Sequence, residues 1–179
     1  MTGAAGFAAW AGAAIIVLAD GRRGLAVGIA LVGAGFTVLA WLAGDWFGGA
    51  ALLVGVAVCA IQLLRTGRQE WGLMPPGSTA RLILAVVGGI LSLWVAASVT
   101  TGAGAPLKFA SVTVLSLLAA RLLQAQKAVQ VLTASAGLAI ALAGASALGR
   151  SVPGLVPYLV AGVIAAGVSL LPVAESRGA

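Results

Sequence analysis

The few ionisable side chains of this chain limit the chemistry that it can perform. Its 179 residues include ten Lys or Arg, four Asp or Glu, one Cys and no His. General acid–base catalysis needs a titratable group held against a substrate, and metal sites need clusters of His, Cys or carboxylates. All four acidic residues fall in loops or at the ends of apolar runs: Asp20, Asp45, Glu70 and Glu175. We therefore expect no enzyme, no catalytic residue, no metal site and no cofactor.

The composition predicts an all-α, polytopic integral membrane protein. Hydrophobic residues make up 61% of the chain and charged residues 8%, whereas a soluble protein has about 25% charged residues. Apolar runs of roughly 17 to 25 residues recur along it, long enough to cross a bilayer as helices. The alternating segments of a transmembrane barrel are not found in the sequence. We expect a single transmembrane domain over residues 1–179.

The net charge of +6 would suggest a nucleic-acid partner in a soluble protein. Here the basic residues are spread at one to three per loop, where anionic lipid headgroups attract them. The expected partners are therefore membrane lipids, and no nucleic acid.

Charge and turn residues divide the chain into seven predicted spans joined as short-loop hairpins. The spans cover about 3–19, 25–43, 47–64, 82–100, 107–123, 128–148 and 156–173. Residues 65–81 form the one long polar loop. Residues 119–132 contain only good helix formers, so they could form a turn or extend a helix beyond the membrane. One tilted helix through spans five and six is disfavoured, because about 40 residues exceed the thickness of a bilayer.

Basic residues predict the orientation of these spans. Lys108 and Arg150 lie on one side of a seven-span arrangement. The other eight basic residues lie on the opposite side: Arg22, Arg23, Arg65, Arg68, Arg81, Arg121, Lys127 and Arg177. The positive-inside rule then places the N-terminus outside and the C-terminus and the 65–81 loop in the cytoplasm. The excess of Arg over Lys and the abundance of Ala and Gly are typical of a GC-rich bacterial genome, so we expect the bacterial cytoplasmic (inner) membrane.

A faint hairpin repeat begins at Arg23, again at Arg81 and a third time at Lys127. In a composition this biased, chance similarity explains the resemblance equally well.

Small residues four positions apart are candidates for close helix packing. Three such pairs are Gly24 with Gly28, Gly44 with Gly48, and Gly88 with Ser92.

A second set of residues forms the candidate contacts with lipids or partner proteins: Arg65, Arg68, Trp71, Met74, Arg81, Lys108 and Arg121. Trp71 and Met74 could dock the 65–81 loop to a partner, although a plain connector is the simpler interpretation. Lys108 could hold an anionic headgroup or solute, but a lysine reaching the interface is favoured. Arg121 is likewise expected to reach the interface. The alternative is a carboxylate from another subunit, since no acidic residue of this chain is obviously placed to pair with it.

Two functions from different classes remain open. The first is a non-catalytic integral subunit that packs against other membrane proteins in a larger complex, in a scaffold or accessory role. The second is a small permease or channel for a neutral or weakly polar solute, built as a homo-oligomer. A proton- or sodium-coupled carrier usually keeps a carboxylate within the membrane, and no apolar run contains one.

Overall fold

The computed structural model describes residues 1–66, 71, 79–100, 102, 104–125, 127–148 and 154–171. Within these residues the chain forms α-helices and no β-strand. The helices are α1 (Thr2–Leu18), α2 (Arg22–Leu42), α3 (Trp46–Arg65), α4 (Thr79–Val99), α5 (Ala105–Gln124), α6 (Ala128–Leu148) and α7 (Leu155–Leu170).

The helix bounds follow the predicted apolar runs closely. No bound differs by more than three residues, as at the start of α2, which is residue 22 rather than 25. Between α5 and α6 the chain leaves the helical conformation at Ala125, and α6 begins at Ala128. The chain therefore turns between α5 and α6, and the two segments do not form one long helix.

Four helices are long and apolar enough to cross a membrane by length and composition: α2, α3, α5 and α6. Shorter apolar helical stretches occupy Thr2–Leu18, Val86–Ser98 and Leu155–Val168. The chain thus fits the class of α-helical membrane proteins.

Six helices surround one apolar core. Each helix contacts the next in the order α1, α2, α3, α7, α6, α5, and α5 contacts α1, which closes the circuit. Helix α2 also contacts α6 across the interior. Helix α4 lies outside this circuit, against α5 and, more weakly, α1. The core contains large apolar side chains from several helices, including Ile16, Leu25, Ile29, Phe36 and Leu52.

The two ends of the bundle differ in chemistry. One end holds the starts of α1, α3, α5 and α7, as shown by Gly6 beside Pro106. We call it the aromatic end, because most of the aromatic side chains lie toward it: Phe7, Trp41, Trp46, Phe47, Trp94, Phe109 and Tyr158. We call the opposite end the basic end, and its described basic residues are Arg22, Arg23, Arg65, Arg121 and Lys127.

Glycines allow two helix pairs to touch through their backbones. A Cβ on Gly12 of α1 would lie 2.6 Å from the carbonyl oxygen of Gly28 and 2.7 Å from the amide nitrogen of Val32. Gly55 of α3 faces Gly162 of α7 in the same way. Since no side chain fits between these helices, their backbone atoms are in direct van der Waals contact.

Candidate functional site

The strongest polar site lies at the basic end and joins Asp20, Arg121 and Gln130. Arg121 Nη2 donates to Asp20 Oδ1 at 2.7 Å and to the backbone oxygen of Ala19 at 2.9 Å. Gln130 Nε2 donates to the same Asp20 oxygen at 2.9 Å. We call these three side chains the Asp20 network. It ties the turn after α1 to the last turn of α5 and the first turn of α6.

Local structure places each member of this network. Ala19 ends α1 in an extended conformation, and Gly21 precedes α2, so Asp20 lies in a short turn. Arg121 is in the last turn of α5, where the helix dipole favours a cation. The carbonyl of Ala19 is at the negative end of α1 and stabilises the same positive charge.

Burial makes this ion pair different from a surface contact. The Arg121 side chain is fully buried, whereas that of Asp20 keeps 16% of its exposure. Arg121 Nε and Nη1 are buried without a hydrogen-bond partner. A buried guanidinium is costly unless a carboxylate compensates it. The Asp20 network therefore ties the turn after α1 to α5 and α6.

This geometry corrects the expectation for Arg121. We expected its side chain to reach the interface without an acidic partner from this chain, and it is instead buried against Asp20. The two residues are 101 positions apart. Their pairing depends on α1 packing against α5, which hydropathy alone does not indicate.

A second polar group lies at the aromatic end, in the turn between α2 and α3. Asp45 caps α3, with Oδ1 accepting from the Gly48 amide at 2.8 Å. The turn is closed by Gly44, whose φ of +89° favours glycine. Beside it, Trp41 and Trp46 stack with ring centroids 5.9 Å apart, and Trp41 Nε1 donates to the Trp46 carbonyl at 3.2 Å.

Two hydroxyl groups, one on α2 and one on α7, are also buried. Tyr158 of α7 is 1% exposed and Thr37 of α2 is 2% exposed. Tyr158 Oη, Thr37 Oγ1 and Asp45 Oδ2 are all buried without a hydrogen-bond partner.

The remaining predicted contact residues lie apart from these two polar groups. Arg65 is exposed at the end of α3, and Lys108 is partly buried in the first turn of α5. Trp71 is 54% exposed, and its carbonyl oxygen would be 3.4 Å from a Cβ on Gly24. Arg68, Met74 and the side chain of Arg81 lie outside the described residues. Contact of these residues with lipids or partners stays a prediction.

The six predicted packing residues have different roles. Gly24 and Gly28 lie against α1 or the turn that follows it, since a Cβ on either would be 2.5 Å from a side-chain carbon of Ala19 or Ile16. Gly44 and Gly88 make no close helix contact within this chain, because a Cβ on either meets no atom within 4 Å. Packing of Gly88 against a partner helix stays a prediction. Gly44 serves the turn. Gly48 adjoins the Asp45 side chain that caps α3, so it too has a local role.

Ser92, the last of the six, is buried in α4, and its hydroxyl donates to the Gly89 carbonyl at 2.8 Å. It thus bonds within its own helix, while its side chain faces the bundle.

Sequence reasoning favoured a polar residue at the membrane boundary for Gln130 over a hydrogen bond between helices, and it did not single out Tyr158. Gln130 was one of several glutamines near the basic end, and nothing in its spacing distinguished it. Tyr158, the only tyrosine of the chain, follows Pro157 at the start of a span. Its buried position could have been suspected from that rarity alone.

No protein-family model, no curated protein and no solved structure matches this chain. Function must therefore be argued from the helices, their polar contacts and their exposed faces.

Proposed function

We propose that the protein is a non-catalytic integral subunit of the bacterial cytoplasmic membrane that packs against another membrane protein. In this proposal all seven helices span the bilayer, the aromatic end faces outward, and the basic end faces the cytoplasm. The carrying observation is helix α4, which lies outside the circuit of six helices and has one face of large, exposed apolar side chains.

The exposed face of α4 supports a protein contact. Its large side chains are extensively exposed, reaching 60% for Ile90 and 72% for Trp94. Just before Ile90, Gly88 and Gly89 have open space where a Cβ would point. In a bilayer, glycines let a neighbouring helix approach closely, whereas lipid chains gain little from them. A helix of a partner protein therefore suits this face.

The polar residues support a non-catalytic role. Asp20 and Arg121 are committed to one another within the Asp20 network, and Asp45 Oδ1 caps α3. Among the described residues, no three His, Cys, Asp or Glu side chains form a group that could hold a metal ion. These contacts hold helices together, which is the task of a scaffold or accessory subunit.

Gly88→Leu tests the partner contact. In this proposal the variant blocks close approach to α4, so recovery of co-purifying membrane protein from mild detergent falls several-fold. Gly167→Leu is the matched control, because Gly167 of α7 also has nothing within 4 Å of its Cβ position. Quantitative mass spectrometry of both pull-downs gives the comparison. Equal recovery with the two variants would contradict a contact at α4, and a homogeneous homo-oligomer stabilised by a solute would favour the permease instead.

Cysteine labelling tests the proposed orientation. Cys59 is buried, and Cys59→Ala provides a background without a thiol. We expect Ala43→Cys, at the exposed aromatic end, to react with a membrane-impermeant maleimide in intact cells. Lys127→Cys, exposed at the basic end, should react only after permeabilisation. The reverse pattern would invert the proposed topology.

A further inference from the structure

We propose that one acyl chain of a phospholipid binds in an apolar cleft between α1, α4 and α5, where it fills the gap between α4 and the other helices. The inference rests on the proposed insertion of these helices in the bilayer, but not on the partner protein proposed for α4.

The cleft exists because α4 packs mainly against α5 and only weakly against α1. Its volume is about 210 Å³. Small residues keep the gap open, since Ala14 of α1 lines it and Gly89 of α4 has no atom within 4 Å of its Cβ position. The lining residues used below are Trp10, Ala14, Leu18, Val86, Gly89 and Ile90.

The wall of the cleft is hydrocarbon. Trp10 has the only polar side-chain atom among the lining residues, and that atom, Nε1, is itself buried. A polar ligand would lose its hydrogen bonds to water here without replacement. An engineered apolar cavity of about 150 Å³ stays dry and takes up benzene, so an apolar cleft of this volume suits a hydrocarbon occupant.

The length and direction of the cleft favour an acyl chain over a compact molecule. Its lining residues on α1 run from Trp10 to Leu18, which is roughly 12 Å along the helix axis. The cleft thus extends from the middle of α1 to its end at the basic end, parallel to the acyl chains of the leaflet on that side. Val86 and Ile90 line it and are 51% and 60% exposed, so it is open to the surrounding lipid.

Packing supplies the driving force. Helices in a membrane are held together largely by van der Waals contact, and the wall of an empty gap loses those contacts. An acyl chain in the cleft would restore them between α1 and α4. We therefore expect the lipid to stabilise the folded chain.

Fluorescence quenching tests whether lipid occupies the cleft. A variant that keeps only Trp10, with Phe at the other four tryptophan positions, is reconstituted alone in phosphatidylcholine vesicles. The vesicles carry either brominated or unbrominated acyl chains. Bromine quenches tryptophan only on close approach, so we expect the brominated lipid to quench Trp10. Gly89→Leu, whose side chain fills the cleft, should lower this quenching several-fold.

Gly88→Leu is the matched control, because Gly88 also has nothing within 4 Å of its Cβ position but does not line the cleft. It should keep the quenching of the parent. Equal quenching in the two leucine variants would overturn the proposal. Weak quenching in the parent and both variants would overturn it too, and is the result expected if a side chain of a second copy filled the cleft. Since Gly88→Leu instead tests the partner contact, the two glycines separate the two proposals.

A variant that keeps only Trp94 reports the insertion of α4 itself, because Trp94 is 72% exposed on that helix. Quenching of Trp94 without quenching of Trp10 would mean that α4 is inserted and the cleft is empty. Quenching of neither would contradict the insertion on which the inference rests.

Thermal unfolding of the chain with all its tryptophans gives a second measurement, should the single-tryptophan variants not fold. In detergent, added phosphatidylcholine should raise the Tm of the unaltered chain and of Gly88→Leu by about 2–4 °C, because a ligand that binds only the folded state stabilises it. The increase should be absent in Gly89→Leu, whose leucine already occupies the cleft. An increase that is equal in all three proteins, or absent from all three, would contradict the acyl-chain assignment.

Discussion

Arg121→Met is expected to destabilise the folded protein by about 3–5 kcal/mol, because it removes one partner of a buried ion pair. The Arg121 side chain is fully buried, and it bonds to both Asp20 and the end of α1. Methionine fills a similar volume without a charge or a donor. Asp20 would lose the guanidinium and keep the hydrogen bond from the Gln130 amide.

Thermal or denaturant unfolding in detergent measures this loss, with Lys127→Met as the matched control. Lys127 is an exposed cation at the same end of the bundle, and its replacement should change stability by less than about 0.5 kcal/mol. If Arg121 instead reached the headgroups as an isolated cation, the two variants would behave alike.

A double variant separates the ion pair from simple packing. Asp20→Asn with Arg121→Met removes both charges of the buried pair. We expect the double variant to be more stable than Arg121→Met alone, since removing both members of a buried pair is often close to neutral. Additive losses would instead show that the two charges are not coupled.

Helix positions were predictable here because they depend on local sequence. An apolar run of sufficient length, ended by Gly, Pro or charge, determines where a span begins and ends. The helix bounds consequently agree with the prediction, including the break before Ala128.

The Asp20 network was not predictable in the same way. Gln130 and Asp20 are 110 positions apart, and their contact requires knowing which helices are neighbours and which faces they turn inward. In apolar helices nearly every face is hydrophobic, so the pattern that identifies the buried face of a soluble helix is lost.

The glycines show the same limit at single positions. The Gly44–Gly48 and Gly88–Ser92 pairs have the spacing of a packing motif, yet Gly44 serves a turn and Gly88 faces open space. Gly55 and Gly162 are in none of the three pairs named from the sequence, and their backbones meet. Spacing gives the possibility of a close contact, and the arrangement of the helices decides which glycines use it.

Gly55→Ala is therefore expected to have a large effect for the addition of one methyl group. The new Cβ would collide with the carbonyl oxygen of Gly162 and lie 2.5 Å from its Cα atom and 2.6 Å from its carbonyl carbon. All three are backbone atoms, so no side chain can rotate away, and α3 and α7 must separate. Overpacking of this kind costs typically about 1–3 kcal/mol.

Gly167→Ala on α7 is the matched control, because its Cβ meets no atom within 4 Å. Alanine also favours a helix over glycine by roughly 0.5–1 kcal/mol. The control should therefore be unchanged or slightly more stable, while Gly55→Ala is less stable although it has the same gain in helix propensity. Unfolding of the two variants under identical conditions tests whether Gly55→Ala lowers the stability while Gly167→Ala leaves it unchanged or raises it. A stabilised Gly55→Ala would mean that α3 and α7 do not meet at this point, and the circuit of six helices would then be open between them.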